Sequence, residues 1–272
     1  MIDALCYEWV RIRTVRSTYW LTGIALGFAL LVAVAVSWGM RATLGTAGGP
    51  SADDLREVGP WVGTQFARAG APYFLAFLLA MIGILGWGHE YRHGMIRATL
   101  TALPSRLHVF IAKYLVVKAW VALSVVVCFL AGTAVAWLFL SSQGIAIYTG
   151  ETWEALGRAV LYVVLLSWLA MAFTGLVRNQ TAALVLLFLW PLAIENAITL
   201  IFFVVPGLRD YSELTRFLPF SAGGRINTDM FFAPGESLFG NPMTWVGGLV
   251  VFGGITVVAM AAGLLLFQQR DA

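Results

Sequence analysis

Val116 to Leu140 reads VVKAWVALSVVVCFLAGTAVAWLFL, 25 residues with a single charge at Lys118. As an α-helix this stretch is about 37 Å long, more than the roughly 30 Å of hydrocarbon in a bilayer. A helix apolar on every side has no face to give to water, so lipid or other helices must surround it. Five further segments carry the same signature, which places expected spans at about 19–40, 71–88, 116–140, 158–177, 181–204 and 244–267. Composition agrees, because 60% hydrophobic and 11% charged residues leave too little polar surface to coat a water-soluble globule. The fold class expected is an all-α integral membrane protein with six transmembrane helices in one domain, 1–272.

Outward from the spans, residues 1 to 18 read as an interfacial helix, with Ile2, Leu5, Trp9 and Ile12 on one stripe and Asp3, Glu8 and Arg11 elsewhere. Arg13 and Arg16 interrupt the stripe and would bend that helix or reach toward headgroups. Trp20 and Trp38 bracket the first span, and Trp120 and Trp137 the third, as interfacial aromatic belts do. An even number of crossings puts both termini on one side, and the basic residues of the connections divide ten to seven in favour of that side, which predicts cytoplasmic termini. Arg41 to Gly70, with acids at Asp53, Asp54 and Glu57, is then a small external loop. Pro206 to Pro242 is also external, and its Phe217, Leu218, Phe220, Phe231, Phe232, Leu238 and Phe239 should pack back on the bundle. Cys6 and Cys128 sit at different depths and cannot pair. A net charge of +3, dispersed along the chain, argues against a nucleic-acid partner.

His89, Glu90 and His93 spell H-E-x-x-H, in which two histidines one helical turn apart bind zinc and the glutamate activates water. That pattern alone describes an intramembrane zinc metalloprotease. Against it, Gly94 breaks the helix directly after the second histidine, Arg92 puts a cation between the ligands, and no third-ligand motif follows, so no metal site is expected. Gly94 ends one helix and Pro104 with Ser105 starts another, leaving Met95 to Leu103 as a short helix with a mixed surface suited to a soluble partner.

The longer window resembles the first cytoplasmic connection of permeases in the type-two ABC exporter family. The matching residues are Glu90, Tyr91, Arg92, His93 and Gly94, then Ile96, Arg97, Thr99 and Leu100, then Pro104, Arg106, Ala112 and Lys113. Pro191 and Glu195 in the fifth span and Leu218, Pro219 and Phe220 beyond it also look like this family. Met95 departs from it, standing where many relatives have threonine. The resemblance implies an interfacial helix, six spans, a cytoplasmic coupling helix between spans two and three, and a partly re-entrant external segment before span six. It also implies a separate ATP-binding cassette ATPase subunit, which would hold ATP and Mg, and a second permease copy or paralogue. Candidate coupling residues are Glu90, Arg92, Gly94, Arg97, Thr99, Pro104 and Arg106.

No G-K-S or G-K-T follows a glycine-rich turn, since Lys113 follows Ala112 and Lys118 follows Val117, so a P-loop is absent and this chain is not expected to be the enzyme or to bind a cofactor. Inside the fifth span, Glu195 stands beside Asn196 and after Pro191, where burying a charge costs about 2.5–3.5 kcal/mol. These three residues form the candidate intramembrane polar path, with a hydrogen-bonded structural role for Glu195 as the alternative. The function expected is the permease of an exporter in the cytoplasmic (inner) membrane that moves an amphipathic or hydrophobic compound outward. A non-transporting membrane scaffold or immunity protein is the third reading.

Overall fold

A computed structural model describes residues 1–44, 58–64, 74–102, 105–228 and 243–269. These residues form helices and no strand. In chain order the elements are α1 (Ile2–Thr14), α2 (Arg16–Thr43), α3 (Val58–Thr64), α4 (Phe74–Arg92), α5 (Ile96–Ala102), α6 (Arg106–Leu140), α7 (Gly150–Val177), α8 (Gln180–Leu189), a π-helical turn (Trp190–Glu195), α9 (Asn196–Val204), a 3-10 segment (Arg209–Phe217), α10 (Pro219–Thr228) and α11 (Trp245–Gln269).

Among the described residues five helical runs are long and apolar enough to cross a membrane: Arg16–Thr43, Arg106–Gln143, Gly150–Val177, Gln180–Val204 and Trp245–Gln269. They fit a multi-pass membrane protein. The remaining expected crossing, 71–88, begins outside the described residues, and its described part lies in α4. The acidic patch at Asp53, Asp54 and Glu57, the aromatics Phe231, Phe232 and Phe239, and Pro104 also lie outside them.

Several helices begin earlier than hydropathy alone predicts, and in each case a paired or capped polar group accounts for it. α6 starts at Arg106, ten residues before the expected boundary, because Lys113 on its inward face is fully buried and ion-paired. α7 starts at Gly150: Thr149 and Thr152 form a reciprocal capping box, and Glu154 pairs with Arg158 one turn on. The α7–α8 turn is short, with Arg178 left-handed at φ 54° and Asn179 accepting hydrogen bonds from the amides of Thr181 (2.9 Å) and Ala182 (3.1 Å).

α4 and α7 form the centre of the bundle. Ala76, Phe77, Leu79, Ala80, Ile82, Ile84 and Trp87 of α4 are buried, and Gly83 lets the two backbones meet. α6 packs beside them, and the Trp168 indole N–H donates to the Tyr114 carbonyl at 3.2 Å. α2 lies along α6 and leaves Trp20 and Trp38 exposed at its two ends, as the belt reading requires; Trp137 is exposed too. Trp120 departs from that reading. It is half-buried, edge-on to Tyr19 at 5.4 Å, and donates to Thr22 Oγ1 at 3.2 Å.

The N-terminal helix ends at an extended residue, Val15, just before α2. Its buried stripe is Ala4, Glu8 and Ile12, whereas Ile2 and Trp9 of the expected stripe are exposed. The physical reason is that charge partners for Glu8 lie inside the bundle, so a carboxylate rather than an indole turns inward.

Candidate functional site

α1, α4 and α6 each bring charge to one point next to the α4–α5 turn. Lys113 Nζ of α6, with no exposed surface, is 2.6 Å from Glu8 Oε1 of α1 and 2.5 Å from Glu90 Oε1 of α4. Arg11 closes the group, with NH1 2.5 Å from Glu90 Oε1 and NH2 3.0 Å from Glu8 Oε2, and NH2 also donates to the Gly86 carbonyl at 2.6 Å. Two cations face two carboxylates, so the cluster is neutral. The Trp87 ring lies 4.9 Å from Lys113 Nζ and adds a cation–π contact. Glu90 Oε2 is buried and accepts no hydrogen bond. A small cleft lined by Glu8, Arg11, Thr18, Gly86 and His89 opens beside the cluster.

Removing ions from water is expensive, and only close pairing of every member offsets it. The arrangement therefore ties the N-terminal helix, α4 and α6 into one electrostatic unit. A second tie runs to α5, where Tyr7 of α1 lies 3.3 Å from Thr99 Oγ1. α5 is thus joined to α4 at its start, by chain through Gly94, and to α1 at its middle, by contact between Thr99 and Tyr7.

The residues expected to meet a soluble partner divide into two sets. Glu90 is 1% exposed and turned into the cluster. Thr99 is buried and also donates to the Met95 carbonyl at 3.2 Å. Arg106 donates to the carbonyls of Phe267 (3.1 Å) and Gln268 (3.2 Å), where a guanidinium suits the negative end of α11. Gly94, at φ +63°, makes the left-handed turn that ends α4, and the Met95 amide reaches back to the Glu90 carbonyl at 2.9 Å. The second set is outward: Arg92, His93, Met95, Ala98 and Thr101 are exposed, and the Gly94 turn is exposed with them. The Arg97 side chain lies outside what the structure describes.

His89 and His93 have ring centroids 6.4 Å apart, but Glu90 faces away from them into the ion cluster. Among the described residues no three His, Cys, Asp or Glu side chains converge as a metal-binding set. The donor geometry does not fit the H-E-x-x-H reading.

Glu195 is 5% exposed. Its Oε1 accepts from the Phe220 amide and its Oε2 from the Ser221 amide, both at 2.8 Å, which clamps the start of α10. Asn196 points outward and donates to the carbonyls of Pro191 (3.1 Å) and Leu192 (2.9 Å). The structural reading of Glu195 is the one its geometry fits.

Sequence reasoning missed the ion cluster as a unit. A signal was available: Glu8, Arg11, Glu90 and Lys113 all border apolar runs, and charges so placed demand partners. No family model matches the chain, and no curated protein matches it either.

Proposed function

We propose that this chain is the membrane-spanning subunit of an ATP-driven exporter, with hydrolysis carried out by a separate ATP-binding cassette subunit and with a second permease copy or paralogue completing the pathway. The cargo is an amphipathic or hydrophobic compound, in keeping with the apolar bundle. Six crossings are assigned to α2, α4, α6, α7, the α8–α9 run and α11, with both termini and α5 in the cytoplasm, the side favoured by the basic residues.

The observation that carries this reading is the wiring of α5. A short helix with Ala98 and Thr101 outward is held at one end by Gly94 and at its middle by Tyr7, and both lead into the buried cluster on α1, α4 and α6. A partner that pushes α5 displaces three helices together, because no member of the cluster can leave without stranding a buried charge. The residues quoted for the family resemblance run through the same stretch.

Affinity purification of the full chain from its native membrane tests the proposal directly. A soluble ATPase should copurify, and active protein with no ATP-hydrolysing companion would refute it. Within such a complex, Arg92→Glu should lower substrate-stimulated ATP hydrolysis severalfold, by about 1 kcal/mol or more of lost contact. It should leave the thermal midpoint unchanged, because Arg92 is exposed. Glu90→Lys behaves differently: its carboxylate is buried between two cations, so reversal should unfold the membrane domain as well as abolish stimulation.

A further inference from the structure

The π-helical turn Trp190–Glu195 interrupts what is otherwise one helical run, and π turns are rare and frequently sit at functional positions. Pro191 has no N–H to donate, which removes one bond of an ordinary α-turn and favours the wider one. Asn196 supports the same register, since its side-chain amide is bonded to the carbonyls of Pro191 and Leu192. The consequence is at Glu195, the last residue of the turn. It is buried while Ile194 and Asn196 on either side are exposed, and its carboxylate accepts from the amides of Phe220 and Ser221 at the start of α10.

Phe220 stacks on Phe77 at 5.9 Å and packs near Phe252 at 6.4 Å, and Ala222 and Ile226 are fully buried. Those contacts are apolar and non-directional, whereas the paired hydrogen bonds to the Glu195 carboxyl oxygens are directional and fix where the helix starts. Resorbing the extra residue of a π turn into an α-helix rotates one side against the other by about 100°, the angle of one residue. Such a rotation takes the carboxylate off the α10 amides.

We propose that residues 190–195 are a two-register switch: the π form latches α10 through Glu195, and the α form releases it. This does not depend on what the protein transports or on any partner. It makes α10 a strap whose seating is set from within the α8–α9 run, with Pro191 and Asn196 holding the latched register and Glu195 as the positioning residue.

Hydrogen exchange on the full chain in lipid nanodiscs reads the latch at the amides of Phe220 and Ser221. Glu195→Gln keeps the backbone and one acceptor oxygen but puts an NH2 donor where the second oxygen accepted, and losing that hydrogen bond corresponds to about fivefold faster exchange at those amides. Pro191→Ala keeps the carboxylate and restores the N–H that an α-turn needs, and it should give a similar increase while the α6 and α7 amides stay protected. Unchanged protection in Glu195→Gln would overturn the latch. Faster exchange in Glu195→Gln with none in Pro191→Ala would overturn the switch. Should Glu195→Gln fail to fold, Pro191→Ala alone decides the matter, since it leaves the Glu195 carboxyl group itself unaltered.

Discussion

Lys113→Met lowers the stability of the membrane domain by about 3–5 kcal/mol, the cost of stranding buried charge, and the thermal midpoint falls by about 10 °C. Lys113 has no exposed surface and is the ammonium shared by Glu8 and Glu90. Methionine fills much of the same volume, so the loss is electrostatic rather than a cavity. Without the lysine, two carboxylates face Arg11 alone and one negative charge is unbalanced where both carboxylates are almost fully buried. The double variant Glu8→Gln with Lys113→Met restores balance, because Glu90 and Arg11 remain as a pair at 2.5 Å. It should therefore be more stable than Lys113→Met alone, and this non-additivity measures the coupling. A single-variant loss below about 1 kcal/mol would mean that the site is wet enough for an ordinary surface pair. A double variant less stable than the single would contradict the shared-charge arrangement.

The fold was legible in the sequence where hydrophobicity was continuous. α2, α11 and the core of α6 lie where their apolar runs place them, because a run of more than 20 apolar residues has few alternatives to a buried or lipid-facing helix. The boundaries were not legible where a charge is neutralised by a distant partner. The Pro-Ser pair carries the helix through Lys113, but hydropathy starts the apolar run only after it, and its contact with residues 8 and 90 is what shows that this charge is buried within the bundle. The π turn has a local cause in Pro191, but its effect on Glu195 depends on α10, which is 25 residues away along the chain at Phe220.

The candidate site was legible as a stretch and not as an orientation. The residues from Glu90 to Arg106 do form a helix end, a glycine turn, a short helix and a new helix start, as the glycine and the Pro-Ser pair require. Which of them face outward could not follow from spacing. Arg106 and Arg92 look equivalent as letters, but Arg106 is spent on the end of α11 and Arg92 is exposed. Likewise Glu8 appears to spoil an amphipathic stripe until its partner is seen.

Gly83→Val should be the most damaging change at the centre of the bundle. A Cβ built on Gly83 would sit 2.3 Å from the Ser167 carbonyl oxygen and 3.0 Å from Met171 Cγ. The methionine can move, but the carbonyl belongs to the α7 backbone, so the helices must part along their whole contact. Small residues at such crossings let backbones approach, and in lipid that packing is a main source of helix association. Gly83→Ala should cost about 1–3 kcal/mol by overpacking, and valine more, because both its methyl groups face the same wall. Gly86, three residues along the same helix, is an internal control: its Cβ would meet Val117 Cγ2 at 3.5 Å and Met171 Cε at 3.7 Å, ordinary contact. Gly86→Ala should therefore be neutral or slightly stabilising, since alanine is the better helix former. Equal shifts of the thermal midpoint for Gly83→Ala and Gly86→Ala would show that helix propensity, not the close crossing of α4 and α7, governs stability there. A large loss confined to Gly83 places the strain at the crossing, about one helical turn from Trp87 and two from Glu90. In that case Gly83→Ala also loosens the ion cluster, and its cost combined with Lys113→Met should fall short of the sum of the two.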